Sequence, residues 1–216
     1  MRLGRYKGRD DLPNTIPVFP LAGALLLPHW QLQLNIFEPR YLGMVDAALS
    51  GARLIGMIQP AKSGGEQRAL AQTGCVGRIT GYRETPDNRY EISLAGVCRF
   101  EVDYELETAN QFRTICPRYD RYLGDLVATE AADMPDRDAL MDVLKAYVKA
   151  NAMQISWQAI LEADTETVVN ALACGVRFME AEKQALLEAP DLKARADILI
   201  ALLKMDMSGG DSGNLQ

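Results

Sequence analysis

The hydrophobic period of this chain changes near residue 125, from two residues to 3.6, and few folds satisfy both halves. Before the change the apolar residues alternate. Leu32, Leu34 and Ile36 fall on one face of Gln31–Ile36, with Gln31, Gln33 and Asn35 on the other. Phe100, Val102, Tyr104 and Leu106 alternate with Glu101, Asp103, Glu105 and Glu107. Leu54 to Gln59 is a short apolar run ended by Pro60. Cys75–Tyr82 and Arg89–Leu94 flank the turn Thr85-Pro86-Asp87-Asn88, and Phe112–Cys116 reads as a last strand. One helix interrupts them: Pro39 suits its first turn, Tyr41, Val45, Ala48 and Leu49 recur at helical spacing, and Ser50-Gly51 ends it.

After the change the stripes are helical. Leu140, Val143, Leu144, Tyr147 and Val148 form the first, opened by Asp133 and Pro135. Trp157–Leu161, Thr167–Cys174 and Phe178–Glu188 follow, the second stopped by Gly175 and the third by Pro190. Asp191 caps a last helix carrying Leu192, Ala196, Leu199 and Leu203. Charge divides at the same place: 15 basic and 14 acidic residues run to Asp125, and 8 basic and 15 acidic follow. The expected organisation is an N-terminal arm (1–15), a β subdomain (16–125), a helical subdomain (126–207) and a disordered tail (208–216), α+β in class.

Few chemistries fit this composition. A net charge of −6 over 216 residues argues against a nucleic-acid binder that works by charge. Cys75, Cys98, Cys116 and Cys174 contain no C-x-x-C pair, and His29 is the single histidine, so neither a disulfide framework nor a metal site is expected. Lys62-Ser63-Gly64-Gly65 lacks the order of a P-loop, and Gly74, Gly77 and Gly81 lack dinucleotide-fingerprint spacing, so no cofactor is expected. No serine sits in a G-x-S-x-G elbow. The basic start (Arg2, Arg5, Lys7, Arg9) is separated from the apolar stretch by Asp10 and Asp11, and Pro17, Pro20 and Gly23 break that stretch. No signal peptide or membrane span is read from it, and the expected location is cytoplasmic.

The segment Val18–Trp30 (VFPLAGALLLPHW) is the most unusual. Most of it reads as core, with Trp30 expected at the rim of an apolar groove.

Ile16-Pro17-Val18-Phe19-Pro20-Leu21, then Leu27-Pro28, then Leu34-Asn35-Ile36-Phe37-Glu38-Pro39-Arg40-Tyr41 resembles the opening of the Lon protease N-terminal (substrate-binding) domain family. The resemblance continues through Gly74–Ile79, Tyr90–Gly96, Arg99-Phe100 and Glu182–Glu188, and covers about Ile16 to Met205. It implies a β pseudo-barrel with an embedded helix, followed by a helical bundle. It also implies a non-catalytic role: binding unfolded or exposed apolar polypeptide segments as an adaptor, alone or beside a protease, without the family's ATPase and peptidase modules. An RNA-binding module resting on Arg113–Tyr122, and a small ATP-independent peptidase, are the alternatives. The expected polypeptide-binding residues are Leu26, His29 and Trp30. Phe37, Glu38, Pro39, Arg40 and Tyr41 are expected mainly to hold the fold, with Phe37 in the core and Glu38 bonding the free amides of the helix. Two positions depart from the family pattern: His29 stands where Gly is usual, and Gln33 where Pro is common.

Overall fold

The computed structural model describes residues 6–61, 69–127 and 134–210. They form an α+β protein with a mixed sheet, in two compact units, Met1–Ala128 and Thr129–Gln216. The first unit holds six strands and one helix: β1 (Ile16–Pro20), β2 (Gln31–Ile36), α1 (Pro39–Ser50), β3 (Leu54–Pro60), β4 (Leu70–Glu84), β5 (Tyr90–Leu106) and β6 (Arg113–Arg118). The strand order is β2-β5-β4-β3-β1-β6, and β6 also pairs with β5. The pairings therefore close a circuit through β1, β3, β4, β5 and β6, with β2 attached outside it on β5. β1 and β3 are parallel, while the other pairs are antiparallel. Ile16, Val18, Leu54, Val76, Phe100 and Ile115 pack in the core, and Tyr119 and Tyr122 from the 3-10 turn Asp120–Leu126 and its start join them.

β5 is one 17-residue strand, where the pattern suggested two. Its middle is buried on both faces: Leu94, Ala95, Val97, Cys98, Arg99 and Phe100 are all 4% exposed or less. A strand covered on both sides loses the alternation that marks a half-buried one. The 3-10 turn supplies part of that cover. Asp125 accepts hydrogen bonds from the Arg99 backbone N–H (2.9 Å) and from its guanidinium at Nε (2.9 Å) and Nη2 (2.7 Å). The Arg99 guanidinium lies 4.3 Å from the Tyr122 ring centre, and Cys98 Sγ donates to the Tyr122 carbonyl.

The second unit holds α2 (Arg137–Ala150), α3 (Trp157–Glu162), α4 (Thr165–Gly175), α5 (Glu180–Glu188) and α6 (Leu192–Gly210). α2, α4 and α5 each pack against α6, whose Ala196, Leu199 and Leu203 are buried. Side-chain caps set four of the starts, three of them by Asp136 on α2, Ser156 on α3 and Asp164 on α4. Asp191 accepts from the Ala194 N–H (2.7 Å) at the start of α6, as expected. Asp136 replaces the expected Asp133 and Pro135 as the opening of α2, and Asp133 lies outside the described residues. α5 starts two residues after Phe178 because Glu182 turns back to accept from the Met179 N–H (2.7 Å). α6 runs to Gly210, past the Ser208 expected to begin the tail, and the Ser208 hydroxyl donates to the Lys204 carbonyl one turn earlier (2.9 Å).

Candidate functional site

The Phe37–Tyr41 motif divides between two surfaces. Ile36 ends β2 pointing inward at 1% exposed, so the next residue points outward, and Phe37 is 61% exposed. It does not enter the core as expected. The Arg89 guanidinium sits 5.7 Å from the Phe37 ring centre, and beside it in the β4–β5 hairpin Tyr82 and Tyr90 meet edge to face at 5.1 Å. The hydrogen bond with Tyr82, then burial and Asp46, push the Tyr90 hydroxyl up to about 12.

Glu38 occupies the N-cap position of α1 without a side-chain cap bond. Its carboxylate accepts instead from Arg40 Nε at 3.0 Å, which corrects the expected bonding of free amides. Pro39 takes the first helical position, where a missing N–H is harmless. Arg40 lies over the Tyr41 ring at 4.5 Å, and the buried Tyr41 ring packs on Phe19 with centres 4.3 Å apart. Burial raises the Tyr41 hydroxyl above its ordinary value, with Arg40 opposing.

Arg40 and Tyr41 line a cleft of about 680 Å³. Pro20, Leu21 and Ala22 from the end of β1 form one wall, and Phe112 and Arg113 another. Glu105 and Arg113 pair across β5 and β6, with Arg113 Nε 2.6 Å from the carboxylate. The cleft thus combines apolar and polar lining in about equal measure, with its cations already held by carboxylates. Sequence reasoning missed it, because its walls come from five separated segments. The only local signal was the Glu105/Arg113 pair on facing strands.

The residues expected to bind polypeptide lie elsewhere, on the turn entering β2. Leu27 accepts from the Trp30 N–H (3.2 Å), with Pro28 and His29 between them and His29 at φ 61°. That left-handed conformation explains why Gly suits position 29. The turn is clasped to β5: the His29 N–H donates to the Gly96 carbonyl (3.0 Å), and the Gly96 N–H to the Trp30 carbonyl (2.8 Å). A Cβ on Gly96 would land on the Leu27 carbonyl, so glycine is required there. His29 is exposed and Trp30 half-buried. Leu26 is 2% exposed, with its side chain against Gly77 in the interior.

Among the described residues no three His, Cys, Asp or Glu side chains gather to hold a metal, and no helix is long and apolar enough to cross a membrane.

The family model of the ATP-dependent protease La (LON) substrate-binding domain matches residues 15–205. The chain belongs to this family. The Lon protease of Desulfosudis oleivorans is 23% identical over 209 residues, covering 90% of this chain and 24% of that protein. The Lon protease of Parabacteroides distasonis is 26% identical over 215 residues, covering 93% and 25%. The chain therefore spans about a quarter of the length of the curated relatives it matches. A crystal structure of a Lon N-terminal domain protein from Xanthomonas campestris superposes with a TM-score of 0.62 at 22% identity, over 87% of this chain and 97% of that one. The N-terminal domain of Mycobacterium avium complex Lon protease gives 0.61 at 15% identity, over 88% and 98%. Both share the fold of this Lon substrate-binding-domain chain.

Proposed function

We propose that this protein is a non-catalytic substrate-recognition module that captures unfolded or exposed apolar polypeptide segments, as an adaptor or holdase alone or beside a protease. In this reading the closed strand circuit is the family's pseudo-barrel and α2–α6 its helical bundle. The observation that carries the proposal is the Arg40–Tyr41 cleft, whose lining mixes Pro20, Leu21, Tyr41 and Phe112 with polar groups and whose cations are each held by a carboxylate. Such a surface suits a chain of mixed side chains better than a polyanion. His29 and Trp30 are a second contact region.

The RNA alternative needs unpaired cations along Arg113–Tyr122. Instead, Arg113 lies against Glu105, Arg118 against Glu101 and Asp103, and Arg121 against Glu101. The peptidase alternative needs a serine hydroxyl free to be activated. Those of Ser50 and Ser208 instead donate to carbonyls of their own helices.

Fluorescence anisotropy with labelled, reduced and carboxymethylated α-lactalbumin tests the proposal, with the native form as control. Binding to the unfolded form alone is expected. It should persist at about 0.5 M salt, where exposed charges are screened within ~4 Å. Equal binding of the native form, or no binding at all, overturns the reading.

A further inference from the structure

β2 pairs with β5 on one side only, and its other edge meets no strand among the described residues. Which peptide groups face that edge follows from hydrogen bonds at two independent points. The Gly96 N–H donates to the Trp30 carbonyl, so the Trp30 carbonyl faces β5. Peptide groups alternate sides along an antiparallel strand, and the register pairs Leu32 with Leu94, Leu34 with Ile92 and Ile36 with Tyr90. Those three residues of β2 therefore turn their peptide groups inward. At the hairpin, the Thr85 N–H donates to the Arg89 carbonyl, which turns residues 89, 91 and 93 toward β4 and leaves 90, 92 and 94 for β2. Both observations give the same phase. The N–H and C=O of Gln33 and of Asn35 point out of the sheet.

Proteins ordinarily blunt such an edge with charge, proline or a bulge. β2 has none of them: its six residues are Gln, Leu, Gln, Leu, Asn and Ile, and its register with β5 runs unbroken. Gln33, in the middle of the strand, keeps the N–H that a proline would lack. On the inner face the neighbouring side chains are under-covered. Leu32 and Leu34 are only half-buried, whereas their partners Leu94 and Ile92 are 0% and 2% exposed. One further strand with apolar side chains at alternate positions would complete their cover.

We infer that the outer edge of β2 receives an extended segment of a client polypeptide as an added strand. Main-chain bonds to Gln33 and Asn35 hold it, and apolar side chains at alternate positions pack beside Leu32 and Leu34. The uncharged strand selects a segment without charges at those positions. In a folded protein a segment of that pattern is already paired within its own sheet, so the edge distinguishes unfolded clients from native ones. This inference rests on the polypeptide-binding reading above and adds the mode of capture.

The test uses the full chain and carboxymethylated α-lactalbumin. Gln33→Pro removes the outward N–H at an edge position, where proline is tolerated. Gln33→Thr keeps the N–H and changes only the side chain. Gln33→Pro is expected to weaken binding roughly three- to tenfold, as for loss of one hydrogen bond and its alignment, while Gln33→Thr binds as the wild type does. Amide exchange on the unmodified protein gives a readout independent of any variant, with the Gln33 and Asn35 amides expected to slow when client is added. Wild-type binding with no such slowing, or equal binding by Gln33→Pro, overturns the inference and leaves the functional reading intact. No binding by the wild type overturns both. If gel filtration finds a wild-type dimer that Gln33→Pro dissociates with client binding unchanged, the edge belongs to a second copy and the inference fails.

Discussion

Removing the Asp125 carboxylate should destabilise the first unit by about 3–5 kcal/mol, the usual cost of breaking one partner out of a buried ion pair. Arg99 is 3% and Asp125 9% exposed at the side chain, so little water can replace the lost partner. Asp125→Ala strips acceptors from three donors at once: the Arg99 backbone N–H, Nε and Nη2. The Tyr122 ring stays over the guanidinium, but a ring face accepts only a small part of what a carboxylate does. For a unit of this size the loss corresponds to a fall of about 12–20 °C in Tm. The fluorescence readout is favourable, because the two tryptophans divide between the units: Trp30 lies in the first and Trp157 in the second. In a Trp157→Phe background, urea unfolding followed at Trp30 reports the first unit. The double change Arg99→Met with Asp125→Leu should recover most of the loss, since an apolar pair of similar volume carries no stranded charge. A cost below about 1 kcal/mol for Asp125→Ala would refute the reasoning, because it would mean that the guanidinium reaches water once the carboxylate is gone.

Leu26→Ala should cost about 2–5 kcal/mol in the same urea assay, as a buried leucine does, and affect client binding only in proportion to the unfolded fraction. Phe37→Ala should change stability by less than about 0.5 kcal/mol, since the ring is mostly exposed; a larger loss would place it in the core after all. Burial pushes the Cys174 thiol up to about 12 against the pull of Arg195 and Lys183, and raises the Cys98 thiol as well. Unfolded thiols release their protons near pH 8.5, and the native ones hold theirs. Stability from these groups is therefore complete below that pH and is lost as pH climbs toward the native values. Iodoacetamide at pH 8.5 should modify the fully buried Cys98 only in urea, and mass spectrometry showing it alkylated in the native protein would contradict this.

What could be read from the residues depended on how each element is covered. β2 and α1 are legible because each buries one face, and their expected limits, Gln31–Ile36 and Pro39 to Ser50, match the structure. β5 is not, because Leu94 to Phe100 is buried on both sides and the period-two signal vanishes there. Phe37 misled for a different reason. Its apolar character suggested core, but the parity of the strand already placed it opposite Ile36, so the information was present and hydrophobicity outweighed it. Family resemblance fixed attention on Phe37–Tyr41, yet the cleft needed Pro20–Ala22 and Phe112-Arg113 beside Arg40 and Tyr41. No local pattern carries that convergence, because the β1–β6 and β5–β6 pairings create it.

His29 and Gln33 fall on either side of Trp30, and each has a physical consequence at its own position. His29 holds φ 61°, a conformation that costs an L-residue roughly 1–2 kcal/mol relative to glycine. Part of that is offset because glycine gains more freedom on unfolding, so His29→Gly should stabilise by up to about 1 kcal/mol. Gln33 carries an outward N–H that proline would lack. The strain at 29 lies in the backbone of a turn clasped by Gly96, and the donor at 33 on the open edge of β2. Changes at the two positions should therefore add, in stability to within about 0.5 kcal/mol. The double variant His29→Gly, Gln33→Pro is then expected to keep the stability gained at 29 and to bind carboxymethylated α-lactalbumin no more tightly than Gln33→Pro alone. Urea midpoints and anisotropy on the four proteins of this cycle decide the matter. If His29→Gly alone weakens binding as much as Gln33→Pro does, the histidine side chain is itself a contact, and the capture surface centres on the turn at His29 and Trp30 instead of the edge at Gln33 and Asn35.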